Sequence, residues 1–441
     1  MNALPPNRLL RVAEDASIGT DQVAVLGRDI RTSSERIARY CVTTHEPVYE
    51  DLATLVESMA FWDRLIVWRR SEGWTRDLSI QVPVYEHVQF QRAAAIEALS
   101  EAARFLTGDK WNFEFVARKG PAPSRQGALI LPQAAIKEVV PFSDGLDSFA
   151  QVQLSLRRHG RDAVMLVRSG LGRDRIFPQL ISLRVPRKFG RVRMREVSYR
   201  TRPLVFYTLA AIGAVLTGAG SVVIGENGQG AIGPACLPFA DEWWFRSAHP
   251  AFVRRWASFL GIILGMPIRF EQPQLWKTKG EVLSELRAKD LMAGWEKTSS
   301  CSTRPNDRYG RHSCGICGGC LLRAVSAHAS RLTLPDGDNA FDVYALEDVA
   351  HHPDGRERRM TSGDRAVTVR AIATMTEFAR LAESPEGDLV VQREAQLIDP
   401  DNPEATQTRL VRLLRQHQAE WNAFLSSLPE RSWVREIVGQ V

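Results

Sequence analysis

Two short stretches of this chain hold residues whose types and spacing could do chemistry. The first is Ser143-Asp144-Gly145-Leu146-Asp147-Ser148, which follows the apolar run 136–142 and leads straight into a helical pattern. The second is Cys301-x12-Cys314-x2-Cys317-x2-Cys320. A strand-to-helix turn is a ready anion site, because the helix start offers free N–H groups and the positive end of its dipole. Gly145 lets the backbone approach a ligand closely, and Ser143 and Ser148 offer hydroxyls. Asp147 falls in the first helical turn, where it can cap the helix or help hold magnesium. Asp144 puts a second carboxylate in the middle of the turn. Beside a polyphosphate it repels unless it binds a cation or faces away, and it can also hydrogen-bond its own turn. The same six residues therefore read either as a phosphate cradle or as a capped helix start. No Walker-type loop with its Gly-Lys pair occurs in the chain.

The four cysteines supply thiolates at a spacing that lets three converge on one tetrahedral ion while Cys301 closes the site. Four sulfur ligands leave no open position, so a zinc ion here is expected to be structural. An iron–sulfur cluster is the alternative reading of the same ligands. His312 stands beside the cluster without being needed by it, and Cys41 and Cys236 lie apart as ordinary buried thiols. Cysteines crowded in one segment, in a chain with six in all, point to metal ligands in a reducing compartment rather than to a disulfide scaffold.

These residues need a scaffold. From 136 onward strands alternate with amphipathic helices: strand-like 136–142, helix 146–158, strand 162–169, strand 192–199, helix 202–218 and strand 221–228. Helix 249–264, a strand-like 267–272 and helix 280–289 follow. That alternation predicts an α/β fold with a doubly wound parallel sheet. Residues 1–130 mix β-like runs (22–27, 63–70, 75–85, 111–118) with a helical one (91–106) and predict an N-terminal α/β domain. Trp62, Trp68, Trp74 and Trp111 there read as core, with a ligand cleft as the other use for them. The linker-like stretch 120–127 separates it from a domain at 136–330 with its zinc site at 301–320. Residues 331–441 predict a helical C-terminal extension, a cap or partner-binding tail, with charged helices at 375–384 and 406–425.

At 441 residues and 44% hydrophobic, the chain is long enough for two or three domains with cores. A net charge of +6, from 57 basic against 51 acidic residues, suits anionic small ligands such as nucleotides and is too mild to call for nucleic acid as a direct ligand. The first residues carry no apolar signal region, and the longest apolar run, 204–216, is shorter than a membrane span. A cytoplasmic protein without membrane contact is the expectation.

Ser143-Asp144-Gly145-Leu146-Asp147-Ser148 resembles the Ser-Gly-Gly-x-Asp-Ser loop of the PP-loop ATP pyrophosphatases, with Asp144 in place of the first glycine. With the four-cysteine knuckle, the chain resembles the 7-cyano-7-deazaguanine synthase (QueC) family. Thr278-Lys279-Gly280-Glu281 matches that family's Thr-Lys-x-Glu, and Thr298-Ser299-Ser300-Cys301 its Thr-x-Ser-Cys. His312-Ser313-Cys314-Gly315-Ile316-Cys317-Gly318-Gly319-Cys320-Leu321-Leu322-Arg323 echoes its cysteine motif with one inserted serine. The resemblance covers roughly 136–325 and implies a PP-loop (HUP-like) sheet, ATP, Mg²⁺ and structural Zn²⁺. It implies ATP phosphates held by Ser143, Asp144, Gly145, Leu146, Ser148 and Arg202, with Asp147 and Lys279 as catalytic residues. Glu226 and Asn227, at the carboxyl edge of the sheet, would meet the substrate, a 7-carboxy-7-deazaguanine. The family's Tyr-Pro-Asp-Cys-Arg stretch is replaced here by Trp243-Trp244-Phe245-Arg246-Ser247-Ala248-His249-Pro250. The long flanks resemble QueC-like proteins of the Qat and type IV CBASS anti-phage systems, which implies a protein partner in a defence complex. On that resemblance the expected reaction is ATP-dependent adenylation followed by amine attack. Alternatives on the same scaffold are a tRNA-thiolating enzyme, or a catalytically degenerate nucleotide- or base-binding component.

Overall fold

The computed structural model describes residues 8–14, 23–40, 45–68, 75–120, 122, 136–170, 176–185, 187–190, 194–196, 199–237, 246–302, 313–334, 349–351, 357–430 and 432–439. Trp74, Cys41, His312, 241–245, most of the 120–127 linker and 335–348 lie outside them. The contacts divide the chain into two units: 1–143 with 155–224 and 241–271, and 144–154 with 225–240 and 272–441.

Among the described residues the first unit holds two parallel sheets and an antiparallel pair, Ile30–Thr32 with Arg187–Phe189. One orders its strands β2-β1-β3-β4, with β1 Arg8–Ala13, β2 Val23–Val25, β3 Asp77–Val84 and β4 Lys110–Ala117. Helices α1 (Pro47–Leu65) and α2 (Ala93–Thr107) belong to this unit. The sequence reading of 63–70 as β-like gives way here, since α1 runs to Leu65 and 66–68 form no strand. Fifteen residues of α1 are buried, so it shows no one-sided apolar stripe, and its C-terminal DRLIV mimics a buried strand. Trp62 and Trp111 are 3% and 4% exposed, which makes them core.

The other sheet contains β5 (Glu138–Pro141), β6 (Val164–Ser169), β7 (Ser182–Val185), β8 (Ser221–Val223) and β9 (Phe270–Glu271) in the order β9-β8-β5-β6-β7, all parallel. Helix α3 (Leu146–His159) follows β5, α4 (Arg202–Thr217) precedes β8, and α5 (Pro250–Leu264) precedes β9. α4 packs on β5 and β6, and Gly213 lets it sit close: a Cβ there would lie 2.8 Å from the Met165 side chain. The strand expected at 192–199 is absent from 194–196, where the Arg195 and Glu196 N–H groups instead donate to the Arg64 carbonyl. β7 takes that place in the sheet. The strand order reverses between β5 and β8, the point in an open α/β sheet where the following loops carry ligand-binding residues. The chain leaves β5 into 142–147 and β8 into 224–230.

The second unit is mainly helical: α6 (Lys279–Ala288), α7 (Gly318–Ala329), α8 (Ser362–Arg380), α9 (Pro385–Ile398), α10 (Pro403–Ser427) and α11 (Trp433–Val438). Among the described residues the C-terminal extension thus carries four helices where the sequence pattern shows two. Its apolar core joins Ile316, Leu321, Val325, Ile372, Trp421 and Phe424 to Cys314, Cys317 and Cys320. Among the described residues no helix is long and apolar enough to cross a membrane.

Candidate functional site

The four cysteines converge. The Sγ atoms of Cys301, Cys314, Cys317 and Cys320 all lie within 4.8 Å of one another. Sulfur separations are 3.5 Å for Cys317–Cys320, 3.9 Å for Cys314–Cys320 and 4.0 Å for Cys301–Cys317. Tetrahedral zinc with bonds of about 2.3 Å sets its sulfurs about 3.8 Å apart, so the ligand set fits that ion. Gly315 turns the chain between Cys314 and Cys317 at φ 80°, a left-handed conformation that favours glycine. The N–H of Cys314 points at the Cys301 sulfur (3.5 Å) and that of Ser302 at the Cys317 sulfur (3.4 Å), an arrangement suited to thiolates. With Cys314, Cys317 and Cys320 at most 3% exposed, the group is structural in character.

The knuckle is tied to the 143–148 turn through its leading segment. The Ser299 N–H donates to the Asp144 carbonyl (2.8 Å), and the Arg323 guanidinium holds both the carbonyl and the hydroxyl of Thr298. Within the turn the Asp144 side chain is exposed, Leu146 is buried in the core, and the Ser148 hydroxyl donates to the Gly145 carbonyl (2.9 Å). Leu146 therefore has only its backbone N–H to offer an anion.

Asp147 is the centre of the site. One carboxylate oxygen accepts from Asn227 Nδ2 (2.7 Å), and the other pairs with Lys279 Nζ (2.9 Å), whose side chain is 7% exposed. Gly225 permits this approach: a Cβ would sit 2.6 Å from the Asp147 carbonyl. Asn227 also caps the short helix Gly228–Ala231 by accepting from the Gly230 N–H. Both ends of its buried amide are thus engaged within the protein, one of them on Asp147. Glu226 stands beside the pair. Desolvation, then the charge of Asp147, pushes its carboxyl up to about 8 against the opposing pull of Lys279, so it holds a proton at neutral pH.

Lys279 is the first residue of α6, and its segment is fixed from several sides. Thr278 and Glu281 form a reciprocal capping box. From α10, Arg412 forks onto Glu281 (2.6 and 2.9 Å) and reaches the Trp276 carbonyl, and Glu420 accepts from the Thr278 hydroxyl (2.5 Å). Gln229 accepts from the Lys279 N–H (2.7 Å) and contacts His417 (2.8 Å). Sequence reasoning missed Gln229, Arg412, His417 and Glu420. The one available signal was that His417 falls on the apolar stripe Leu410, Leu413, Leu414, Trp421, Phe424 of α10, where a polar residue needs a partner.

The expected site residues thus divide. Asp144, Gly145, Leu146, Asp147, Ser148, Glu226, Asn227, Lys279 and the four cysteines fall in the second unit. Ser143 and Arg202 fall in the first, where Arg202 opens α4 with its guanidinium over Phe206. Within 243–250, His249 caps α5 by accepting from the Ala251 N–H. Gly228, Gly230 and Gly233 have the spacing of a dinucleotide-binding fingerprint, yet Cβ atoms at the first two would clash with the Leu275 carbonyl and the Glu226 carboxyl, so packing accounts for those two. No family model matches this chain, and no curated protein matches it.

Proposed function

We propose that the protein is an ATP-dependent enzyme that adenylates the carboxylate of a 7-deazaguanine-type base and passes the acyl group to an amine. The observation that carries the reading is the Asp147–Lys279 pair: an acid in the first turn of α3 and a buried ammonium at the start of α6. Both follow motifs that resemble those of the PP-loop synthases, and the helix starts and the ammonium favour a polyphosphate. In the proposed reaction a carboxylate oxygen of the base attacks the α-phosphorus of ATP. The bond to the β-phosphate oxygen breaks and pyrophosphate leaves. An amine nitrogen then attacks the acyl carbon, AMP leaves, and the surplus amine proton passes to water. Magnesium enters with the nucleotide phosphates, and Asp147, whose two oxygens each accept one bond within the protein, keeps lone pairs to offer it. Zinc at the four cysteines takes no part in these steps. A protein partner in an anti-phage complex, with its N-terminal amine as acceptor, is part of the proposal.

The test is pyrophosphate release from ATP and Mg²⁺ with and without 7-carboxy-7-deazaguanine. Release that requires the base and disappears in Asp147→Ala supports the reading. ATP binding without release sinks it in favour of a nucleotide-binding component, and labile sulfide or iron in the pure protein favours a thiolating enzyme.

A further inference from the structure

We infer that α10 of the C-terminal extension is a working part of the site, and that His417 and Gln229 are positioning residues that hold Lys279 against Asp147. The hydrogen bonds run in one consistent direction. The Met375 carbonyl can only accept, so the His417 Nε2 beside it (3.0 Å) carries the proton. In the neutral ring Nδ1 is then the acceptor, and the Gln229 amide donates to it at 2.8 Å. That fixes the orientation of the amide, whose oxygen faces the Lys279 N–H at 2.7 Å. A flipped Gln229 would set its NH₂ against the Lys279 N–H and its oxygen against the Nδ1 lone pair, two repulsive contacts.

His417 is fully buried, Gln229 is 6% exposed and Lys279 is 6% exposed, so water offers little substitute for a lost partner. Two further residues of α10 hold the same segment, Glu420 by accepting from Thr278 and Arg412 by donating to Glu281 and the Trp276 carbonyl. Leu413 closes the contact, since a Cβ on Gly228 would lie 2.6 Å from it, and the Gly228 N–H in turn donates to the Lys277 carbonyl (2.9 Å). The extension therefore sets where the Lys279 ammonium stands. The catalytic consequence of this rests on the adenylation reading, whereas the geometric one does not.

Trace labelling of lysines with acetic anhydride, read by mass spectrometry at Lys279 in the full-length protein, separates the two. Replacing His417 by Phe or Gln229 by Leu removes one member of the relay. Each is expected to raise Lys279 labelling about tenfold, the equivalent of one buried hydrogen bond. His417→Gln, which keeps a donor and an acceptor, is expected to stay within about twofold of wild type, as is Arg415→Ala on the same helix. Should His417→Phe fail to fold, Gln229→Leu carries the test. Wild-type labelling of Lys279 in folded His417→Phe or Gln229→Leu protein overturns the inference, and so does His417→Gln labelling as strongly as His417→Phe. In the pyrophosphate assay the same two variants are expected to lose kcat about tenfold with the KM for the base unchanged. A wild type that releases no pyrophosphate defeats the adenylation reading alone, because the labelling still decides this one.

Discussion

The Lys279 ammonium lies 2.9 Å from the Asp147 carboxylate, and each residue belongs to the first turn of a helix. Asp147 is well placed there, since a carboxylate near a helix start is stabilised, whereas a lysine at such a start is not. The pair thus holds a cation where the protein would not otherwise keep one.

Removing Asp147 should accordingly cost stability as well as activity. Asp147→Asn leaves a buried ammonium without its counter-charge, and a loss of about 3 kcal/mol is expected in denaturant unfolding. The double variant Asp147→Asn with Lys279→Met is expected to recover most of that loss while remaining inactive. A double variant no more stable than Asp147→Asn would show that the two do not act as a pair.

Glu226 gives a pH dependence of known sign. Its folded pKa of about 8 lies above the ordinary 4.5, so between these values the folded state binds a proton that the unfolded state does not. Stability must therefore fall as pH rises through that window. Glu226→Gln is expected to remove this fall and to be more stable than wild type at the alkaline end, by up to about 5 kcal/mol. Parallel stability curves for the two proteins across the window would contradict it.

His417 acts with the opposite sign. Burial pulls its pKa down from 6.5 to about 4, so in that interval the unfolded state takes up a proton that the folded state refuses. Stability is then lost as pH falls from 6.5 toward 4, by up to about 3 kcal/mol. His417→Gln should abolish that acid slope, as thermal melts across the interval would reveal.

Zinc is expected to copurify, a single ion per chain. Its removal by a chelator, or Cys317→Ser, should cost about 5 kcal/mol or more, because the ligands are woven into the apolar core with Trp421 and Phe424. A red shift of tryptophan fluorescence accompanying metal loss is the readout. An unshifted spectrum after complete removal would mean that the core does not depend on the ion.

Gly225→Ala should weaken the site without removing any polar group. A Cβ there would meet the Asp147 carbonyl at 2.6 Å and the Gln151 side chain at 2.7 Å, a clash expected to cost about 1–3 kcal/mol. Lys279 labelling should rise with it, since Asn227 and Asp147 would be pushed apart.

The local chemistry of this protein was legible in its residues. Cys301, Cys314, Cys317 and Cys320 announced a shared ion because thiolate spacing is a local constraint, and 146–158 announced a helix because its apolar period is regular. Strands β5, β6 and β8 were legible as short buried runs between helices. Helix α1 was not, because a helix buried on nearly every side has no period to detect. Only tertiary structure could bring Asn227 and Lys279 onto Asp147, 80 and 132 residues away in the chain. Only it could set Asn227 as a brace on Asp147, and enlist His417 from a helix that by pattern alone is one more amphipathic tail. Pairing of buried polar groups depends on which elements fold together, and no local pattern records that choice.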